Sequence, residues 1–239
     1  MKAIFLSDAH LKERTQPGYG RLLDFLRSMN GAVDHLFVAG DFFDFWFCHE
    51  NAIYEDFKPV LDALFELGSS GVRISYCEGN HDFFLKDFFE PRGVTVFSES
   101  ADIRLDGSRI YLAHGDTVDR TNRRYLFLRR ILRSRSLYAL QRILPPALIW
   151  KVALFSSNIS RDHLGALDHG LVEKMKSFAG EKFAEGYDAV ILGHCHEALL
   201  ERRFLNGTER TLALLGDWIS QFTYLQYEAG TFTLMKYDR

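Results

Sequence analysis

The sequence GDFFD, residues 40–44, follows directly on the apolar run HLFVA, residues 35–39. The run has the length and the aromatic and β-branched content of a buried strand, and glycine lets the chain turn where that strand ends. Open α/β sheets place their chemistry at the carboxyl ends of strands, because the sheet fixes the loops while the loop backbone stays accessible. We therefore predict that Asp41 points into a crevice at such an end.

Four further clusters of metal-ligand residues follow predicted strands, namely DAH at 8–10, GNHD at 79–82, HGD at 114–116 and GHCH at 193–196. Side chains two residues apart on an extended segment face the same way. On that basis the first and third residues of DAH can share a metal, and the cysteine of GHCH should face the core. A carboxylate that bridges two metals would tie the clusters together.

The first third of the chain has the periodicity of a βαβαβ unit. Strands are predicted at 2–7, 35–39 and 72–77, separated by helices at 19–30 and 52–67. This order favours parallel strands joined by right-handed crossovers.

The pattern alternates after residue 94, which indicates hairpins. Turns are predicted at Asp106-Gly107, Asn206-Gly207 and Ala229-Gly230. A helix near 166–184 and a strand at 187–192 lie between the first two turns. The whole pattern predicts two packed, mixed sheets with helices on their outer faces.

The composition favours one α/β domain over residues 1–239, with 47% hydrophobic and 26% charged residues. A net charge of −3 gives the whole molecule no reason to bind nucleic acid. Three cysteines without paired spacing are expected to be reduced thiols, as in the cytoplasm. The first apolar run is too short for a signal peptide, and the chain lacks the run of roughly eighteen apolar residues that a spanning helix needs.

Residues 119–165 differ from this pattern and predict a helical insertion over the site. Between Asp119 and Asp162 lie nine arginines and one lysine, interleaved with bulky apolar residues; ten basic and two acidic residues give this stretch +8. Two prolines at 145–146 break it into two helical pieces, the second at 147–155 with Trp150. One interpretation is a solvated basic face with an apolar stripe packed on the core. The other is a surface that holds an anionic lipid or a membrane.

The donor atoms of these clusters indicate a two-metal centre without thiolate ligands. Such donors suit Mn²⁺, Fe²⁺ or Zn²⁺, and we expect Mn²⁺. Two divalent ions against two carboxylates leave about +2, which attracts a phosphate and lowers the pKa of a water. Phosphoryl hydrolysis is therefore the predicted reaction. The candidate ligands are Asp8, His10, Asp41, Asn80, His114, His194 and His196.

The five clusters, taken in order, resemble the calcineurin-like metallophosphoesterases. The resemblance implies a four-layer α/β/β/α sandwich in which His81 protonates the leaving group or stabilises the transition state, oriented by Asp82. It also implies how the ligands divide between the metals. One metal would be held by Asp8, His10, Asp41 and His196, and the other by Asp41, Asn80, His114 and His194.

Residues 40–46, the HGDT sequence at 114–117 and the insertion are similar to one branch of that family. This branch cleaves UDP-2,3-diacylglucosamine, a nucleotide lipid, to UMP and lipid X in lipid A synthesis. The resemblance implies a peripheral position on the cytoplasmic face of the inner membrane. The chain has histidine where the branch has arginine at position 81, and asparagine where it has an acid at position 122. The implied substrate contacts are Asn80, His81, Asn122, Ser157, Arg161 and His194.

Two other classes of function stay open from the sequence. The chain could be a phosphomonoesterase or phosphodiesterase for soluble substrates, with an insertion that only caps the site. It could also be a binding module that kept the fold and lost catalysis, although the complete ligand set and His81 argue against this.

Overall fold

The computed structural model describes residues 1–46, 53–143 and 169–238, and its first sheet has six strands. The order is β11-β10-β1-β2-β3-β4, with β1 to β4 parallel and the last two strands antiparallel. The predicted βαβαβ unit is confirmed. The bounds are β1 (Lys2–Leu6), α1 (Pro17–Ser28), β2 (His35–Val38), α2 (Lys58–Ser69), β3 (Arg73–Cys77), α3 (Lys86–Phe89), β4 (Val94–Phe97), β10 (Thr223–Glu228) and β11 (Thr231–Lys236).

The second sheet has five strands in the order β5-β6-β7-β9-β8, in which β6, β7 and β9 are parallel and the two edges antiparallel. All three predicted hairpins are present, and the sheets are mixed as predicted. The bounds are β5 (Ser100–Leu105), β6 (Ser108–Ala113), β7 (Ala189–Leu192), β8 (Ala198–Leu205) and β9 (Thr208–Leu215), with helices α4 (Arg123–Leu132), α5 (Arg135–Ile143) and α6 (His169–Ala184) between β6 and β7.

Alternation along the strands builds the layers. On β1, Ile4 and Leu6 pack in the cluster that contains α1 and α2, whereas Phe5 lies between the sheets. On the far side of the second sheet, Met175 of α6 packs against Leu192 of β7. The layer order is therefore helices, sheet, sheet and helix, which confirms the four-layer sandwich. None of the helices in the described ranges is both long and apolar enough to cross a bilayer.

The five clusters all lie at the carboxyl ends of strands, namely β1, β2, β3, β6 and β7. Two glycines let these loops approach closely. A Cβ atom on Gly79 would collide with Asp41, and one on Gly193 would lie 2.6 Å from Asp8 Oδ2. Only glycine tolerates such close packing of loop backbone.

The sequence did not predict α3 and β4, which are four residues each and too short for a periodic signal. The second half of the predicted insertion lies outside the described residues. This half includes Pro145-Pro146, the expected helix at 147–155 with Trp150, and the expected substrate contacts Ser157 and Arg161.

Candidate functional site

The first group of candidate ligands lies around the Nε2 atom of His114. This nitrogen lies 3.3 Å from Asp41 Oδ2, 2.9 Å from Asn80 Oδ1 and 3.2 Å from His194 Nδ1. Donors on one divalent ion at about 2.0–2.2 Å lie roughly 2.8–3.6 Å from one another. The other three predicted ligands of this metal therefore lie around His114 at distances that donors of one ion can have.

The second group of candidate ligands meets the first at the Oδ2 atom of Asp41. His10 Nε2 is 3.6 Å from Asp41 Oδ2 and 3.8 Å from Asp8 Oδ1, and His196 Nε2 is 3.5 Å from Asp8 Oδ1. Asp8, His10 and His196 form one of the side-chain groups that could hold a metal ion. Asp41 Oδ2 is thus shared between both groups, as a bridging ligand must be.

Two orphaned atoms show that this group fits a metal. Asp8 Oδ1 and His10 Nε2 are buried and have no hydrogen-bond partner in the described part of the chain. A buried polar atom without a partner costs about 1–3 kcal/mol, more if charged, unless another ligand satisfies it. A divalent cation between them would do so.

Hydrogen bonds to the remaining atoms fix how the ligands point. His10 Nδ1 lies 3.2 Å from Asp44 Oδ1, and His114 Nδ1 donates to the Ala39 carbonyl over 2.9 Å, so both rings turn Nε2 towards the centre. Asp8 Oδ2 accepts the backbone N–H of His194 over 2.9 Å, which leaves Oδ1 as its ligand atom. Such outer contacts set ligand orientation and basicity.

Asp8 and His10 lie close together, but not because the segment that carries them is extended, as was predicted. Asp8 and His10 have φ angles of 55° and 44°, so the segment is not extended. His194 and His196 are also left-handed, with φ angles of 70° and 54°, and Cys195 packs at the edge of the core cluster around α6. Strain of this kind is characteristic of functional sites held in place by their surroundings.

His81 is held by Asp44 and not by Asp82, which corrects the orientation expected from the family. Its Nδ1 atom donates to the Asp44 carbonyl over 2.9 Å and lies 3.9 Å from Asp44 Oδ1. A carbonyl can only accept, so Nδ1 carries a proton in both charge states of the ring. The proton that can be exchanged is therefore on Nε2, and the His81 side chain is 15% exposed.

Asp82 is a structural anchor. Its oxygens accept the backbone N–H groups of Asp41, Phe42, Phe43 and Gly79 and the hydroxyl of Tyr76. The residue is fully buried, and its expected catalytic role is not supported by these contacts. It holds the Asp41 turn in shape.

The carboxylates of the site favour positive charge on the side chains around them, as a site for cations would. Burial opposes charge on His10 and His114, but hydrogen bonds and charges from neighbouring carboxylates outweigh it and raise both pKa values to about 10. Burial likewise opposes ionisation of Asp8, yet its contacts to His10 and other histidines lower its pKa to about 2. Burial and the nearby His114 lower the pKa of His194 to about 4. Without metal, imidazolium groups balance the carboxylates.

The sequence reasoning missed Asp217, in the loop between β9 and β10. Its Oδ2 atom lies 3.9 Å from His196 Nδ1, and Gln221 Nε2 donates to the His196 carbonyl over 2.5 Å. Asp217 follows Gly216 at the end of β9, so the Gly-Asp pattern after a strand, already used at residues 40–41, could have identified it.

Helix α4 packs on the protein through its polar face. The first interpretation of the insertion predicted the reverse, with the apolar stripe on the core and the basic face in solvent. Tyr125 and Arg129 bind Asp116, at 2.7 and 2.6 Å, and Arg133 binds Glu78 at 3.1 Å. These residues share one face at spacings of four. The apolar side chains point elsewhere and are exposed, by 67% for Phe127, 53% for Leu128, 46% for Ile131 and 37% for Leu132.

Asn122, an expected substrate contact, caps α4. Its Oδ1 atom accepts the backbone N–H of Tyr125 over 3.1 Å. The expected contacts Asn80, His81 and His194 lie together in the ligand cluster.

Comparison with known proteins gives a family and named relatives. A family model described as calcineurin-like phosphoesterase matches residues 1–198. A protein of Pseudomonas syringae pv. syringae named UDP-2,3-diacylglucosamine hydrolase is 28% identical over 237 residues, covering 98% of this chain and 95% of the relative. One of Ectopseudomonas mendocina with the same name is 29% identical and covers 98% of both chains.

A solved structure described as an archaeal phosphodiesterase is similar in fold. It has a TM-score of 0.50 and 14% identity, and the match covers 98% of this chain and 99% of the other. At this identity the likeness bears on the fold alone.

Proposed function

The chain belongs to the calcineurin-like phosphoesterase family, and we propose that it hydrolyses the pyrophosphate bond of UDP-2,3-diacylglucosamine to UMP and lipid X. Membership of the family makes it a hydrolase that uses divalent metals. The observation that carries the chemistry is the shared Oδ2 of Asp41, which lies 3.6 Å from His10 Nε2 and 3.3 Å from His114 Nε2. Named relatives that align with 98% of the chain support the substrate.

The metals would be held by the predicted ligand sets. Asp8, His10, Asp41 and His196 would take one ion, and Asp41, Asn80, His114 and His194 the other. When bound, two divalent ions clamp the phosphate oxygens and lower the pKa of a water. The mix of carboxylate, amide and imidazole donors without thiolate supports Mn²⁺ as the native ion, with Fe²⁺ or Zn²⁺ as the alternatives to test.

His81 would handle the proton. Because Nδ1 is bound to the Asp44 carbonyl at 2.9 Å, Nε2 is the atom that can donate to the leaving phosphate oxygen. Its ring lies edge-on to His10, with centroids 4.8 Å apart, which places it beside the ligand group.

The insertion, residues 119–165, would select the substrate. The exposed apolar side chains of α4 and the exposed Leu140 of α5 belong to a stretch, 123–143, that contains seven arginines and no acid. Apolar groups flanked by arginines suit acyl chains next to phosphates, and suit an anionic bilayer surface. This supports a cytoplasmic protein bound peripherally to the inner membrane. Substrate contacts are proposed for Asn80, His81, Asn122, Ser157, Arg161 and His194.

The test is hydrolysis by the purified, Mn²⁺-loaded protein. UMP release from UDP-2,3-diacylglucosamine is compared with release from a UDP-sugar without acyl chains and with cleavage of bis(p-nitrophenyl) phosphate. Preference for the diacylated substrate supports the proposal. Turnover of the soluble compounds without turnover of the lipid would make the chain a phosphodiesterase for soluble substrates.

A further inference from the structure

Arg133 caps the C-terminus of α4, and its side chain extends from the helix into the protein interior. Its side chain is 11% exposed, and its guanidinium makes three hydrogen bonds. Its Nη2 atom donates to the Gly79 carbonyl over 2.5 Å, and Nη1 donates to Glu78 Oε2 over 3.1 Å and to the Ser98 carbonyl over 2.7 Å. Gly79 directly precedes the candidate ligand Asn80.

Glu78 closes the loop that Arg133 touches. While Oε2 pairs with Arg133, Oε1 accepts the backbone N–H of Leu85 over 2.9 Å. The two ends of the turn at 78–85, which carries Asn80 and His81, are therefore joined through one carboxylate. Glu78 is 4% exposed, so its charge depends on the arginine for compensation.

A second contact from the insertion holds the far side of the same turn. The ring of Tyr138 on α5 packs on Phe84 with centroids 4.4 Å apart, and its hydroxyl donates to Asp87. Phe84 has a φ of 61°, which is uncommon for a bulky residue and persists only where neighbours impose it. Residues 78–87 are thus held at two places, by Arg133 at the end of α4 and by Tyr138 on α5.

We infer that Arg133 is a positioning residue that sets the geometry of Asn80 and His81 from the insertion side. The inference deepens the proposed function, since it makes the segment that would bind the acyl chains also the segment that orders the turn carrying His81. A planar guanidinium can serve Gly79, Glu78 and Ser98 together, whereas a lysine ammonium cannot reproduce this fork. A misplacement of about 1 Å at a reacting group can cost about 100-fold in rate.

The experiment uses the full chain with Arg133→Lys, which keeps the charge, and Glu78→Gln, which keeps an acceptor for Leu85. With bis(p-nitrophenyl) phosphate, Arg133→Lys should lower kcat about 10- to 100-fold with little change in KM and with both metals retained. In the His81→Ala background the same substitution should lower kcat by a clearly smaller factor, because one of the two side chains that it positions is gone. Glu78→Gln should show the same dependence on His81.

The matched control is Arg129→Lys, which weakens the docking of the same helix at Asp116 and Glu99 without touching residues 78–85. Its effect should be equal in both backgrounds. Equal effects of Arg133→Lys in both backgrounds would overturn the inference and leave Arg133 as a docking residue. Because the substrate is a small diester, this result does not depend on the lipid.

Hydrogen exchange gives a readout that does not need turnover. Exchange over residues 78–87 should rise in Arg133→Lys and stay unchanged in Arg129→Lys. Unchanged exchange in Arg133→Lys would also overturn the inference.

Discussion

The backbone N–H of His81 donates a hydrogen bond of 2.9 Å to Oδ1 of Asp41. This bond occupies Oδ1, while Oδ2 is the oxygen that lies close to both candidate ligand groups. The residue proposed to handle the proton is thus joined to the residue proposed to bridge the metals. Because the bond comes from the backbone, the two side chains can be tested separately.

We expect Asp41→Ala to lose both metal ions, because one oxygen serves both ligand groups. Metal content is measured by mass spectrometry after dialysis against Mn²⁺. Asp62→Ala, at an exposed position on α2, is the control and should keep two ions. Two full equivalents in Asp41→Ala would contradict the bridging role.

His81→Ala should lower turnover by about 10²- to 10⁴-fold while both metals stay bound, since general acid catalysis contributes on that scale. The backbone N–H that orients Asp41 is unchanged in this variant. Turnover and metal content are measured on the same preparation. Wild-type turnover with intact metals would remove His81 from the reaction.

Asp44→Asn and Asp82→Asn should fail in different ways. Asp44 contacts His10 Nδ1, so its loss should weaken metal affinity about 10- to 100-fold. Asp82 holds backbone amides, so its loss should lower the free energy of unfolding by about 1.5–3 kcal/mol or more. Metal titration and urea unfolding distinguish the two. A selective loss of turnover in Asp82→Asn, with metal affinity and stability unchanged, would restore the role in orienting His81 that was first expected for Asp82.

Metal binding should release about two protons at pH 7–9. In the metal-free protein His10 and His114 have pKa values of about 10 and carry protons below that pH, whereas metal ligands must be neutral imidazoles. Metal affinity should therefore rise with pH up to about 10. Calorimetry in two buffers of different ionisation enthalpy measures the protons.

His194→Ala is the control for that titration. With a pKa of about 4, His194 is already neutral, so its loss should weaken binding without changing the proton count. Binding heats that do not depend on the buffer would contradict the assignment of protonated ligands.

Leu128→Ser should impair cleavage of UDP-2,3-diacylglucosamine at least about tenfold and leave bis(p-nitrophenyl) phosphate unaffected. Burying a leucine against an acyl chain contributes about 1.5–3 kcal/mol. Leu132→Ser should act in the same direction. Phe204→Ser, on the β8–β9 hairpin, is the control for an exposed apolar residue elsewhere. Equal losses on both substrates would mean that α4 has only a structural role.

The sequence was sufficient to locate the candidate site because each cluster directly follows a buried run. Asp8, Asp41 and His114 each lie within three residues of a strand end, and parallel strands bring such ends to one edge. The division of the ligands between two metals was implied by the family resemblance, and the pairing of Asp8 with His10 was argued from an extended segment. The structure instead has left-handed φ angles at residues 8, 10, 194 and 196, which cannot be read from a motif.

The contacts that the sequence did not reveal join residues far apart in the chain. Arg133 meets Glu78 across 55 residues, and His81 meets Asp44 across 37. A helical pattern shows which residues share a face of α4. It cannot show that the arginines on one face form ion pairs with buried acids, Asp116 and Glu78, elsewhere in the chain. Apolar residues then lie outside, against the usual rule for surface helices.

The pairing of β1 with β10 has a consequence for synthesis. His194 holds Asp8 across 186 residues, and Lys2 pairs with Glu228. A ribosome must therefore deliver nearly all of this sequence before the first strand gains its second neighbour. Pairings this distant form slowly, because the entropy of closing a long loop is lost before the contacts between the strands can stabilise it. During translation the nascent chain carries the candidate metal ligands without a pocket, and a chain interrupted before β10 lacks the strand that pairs with β1.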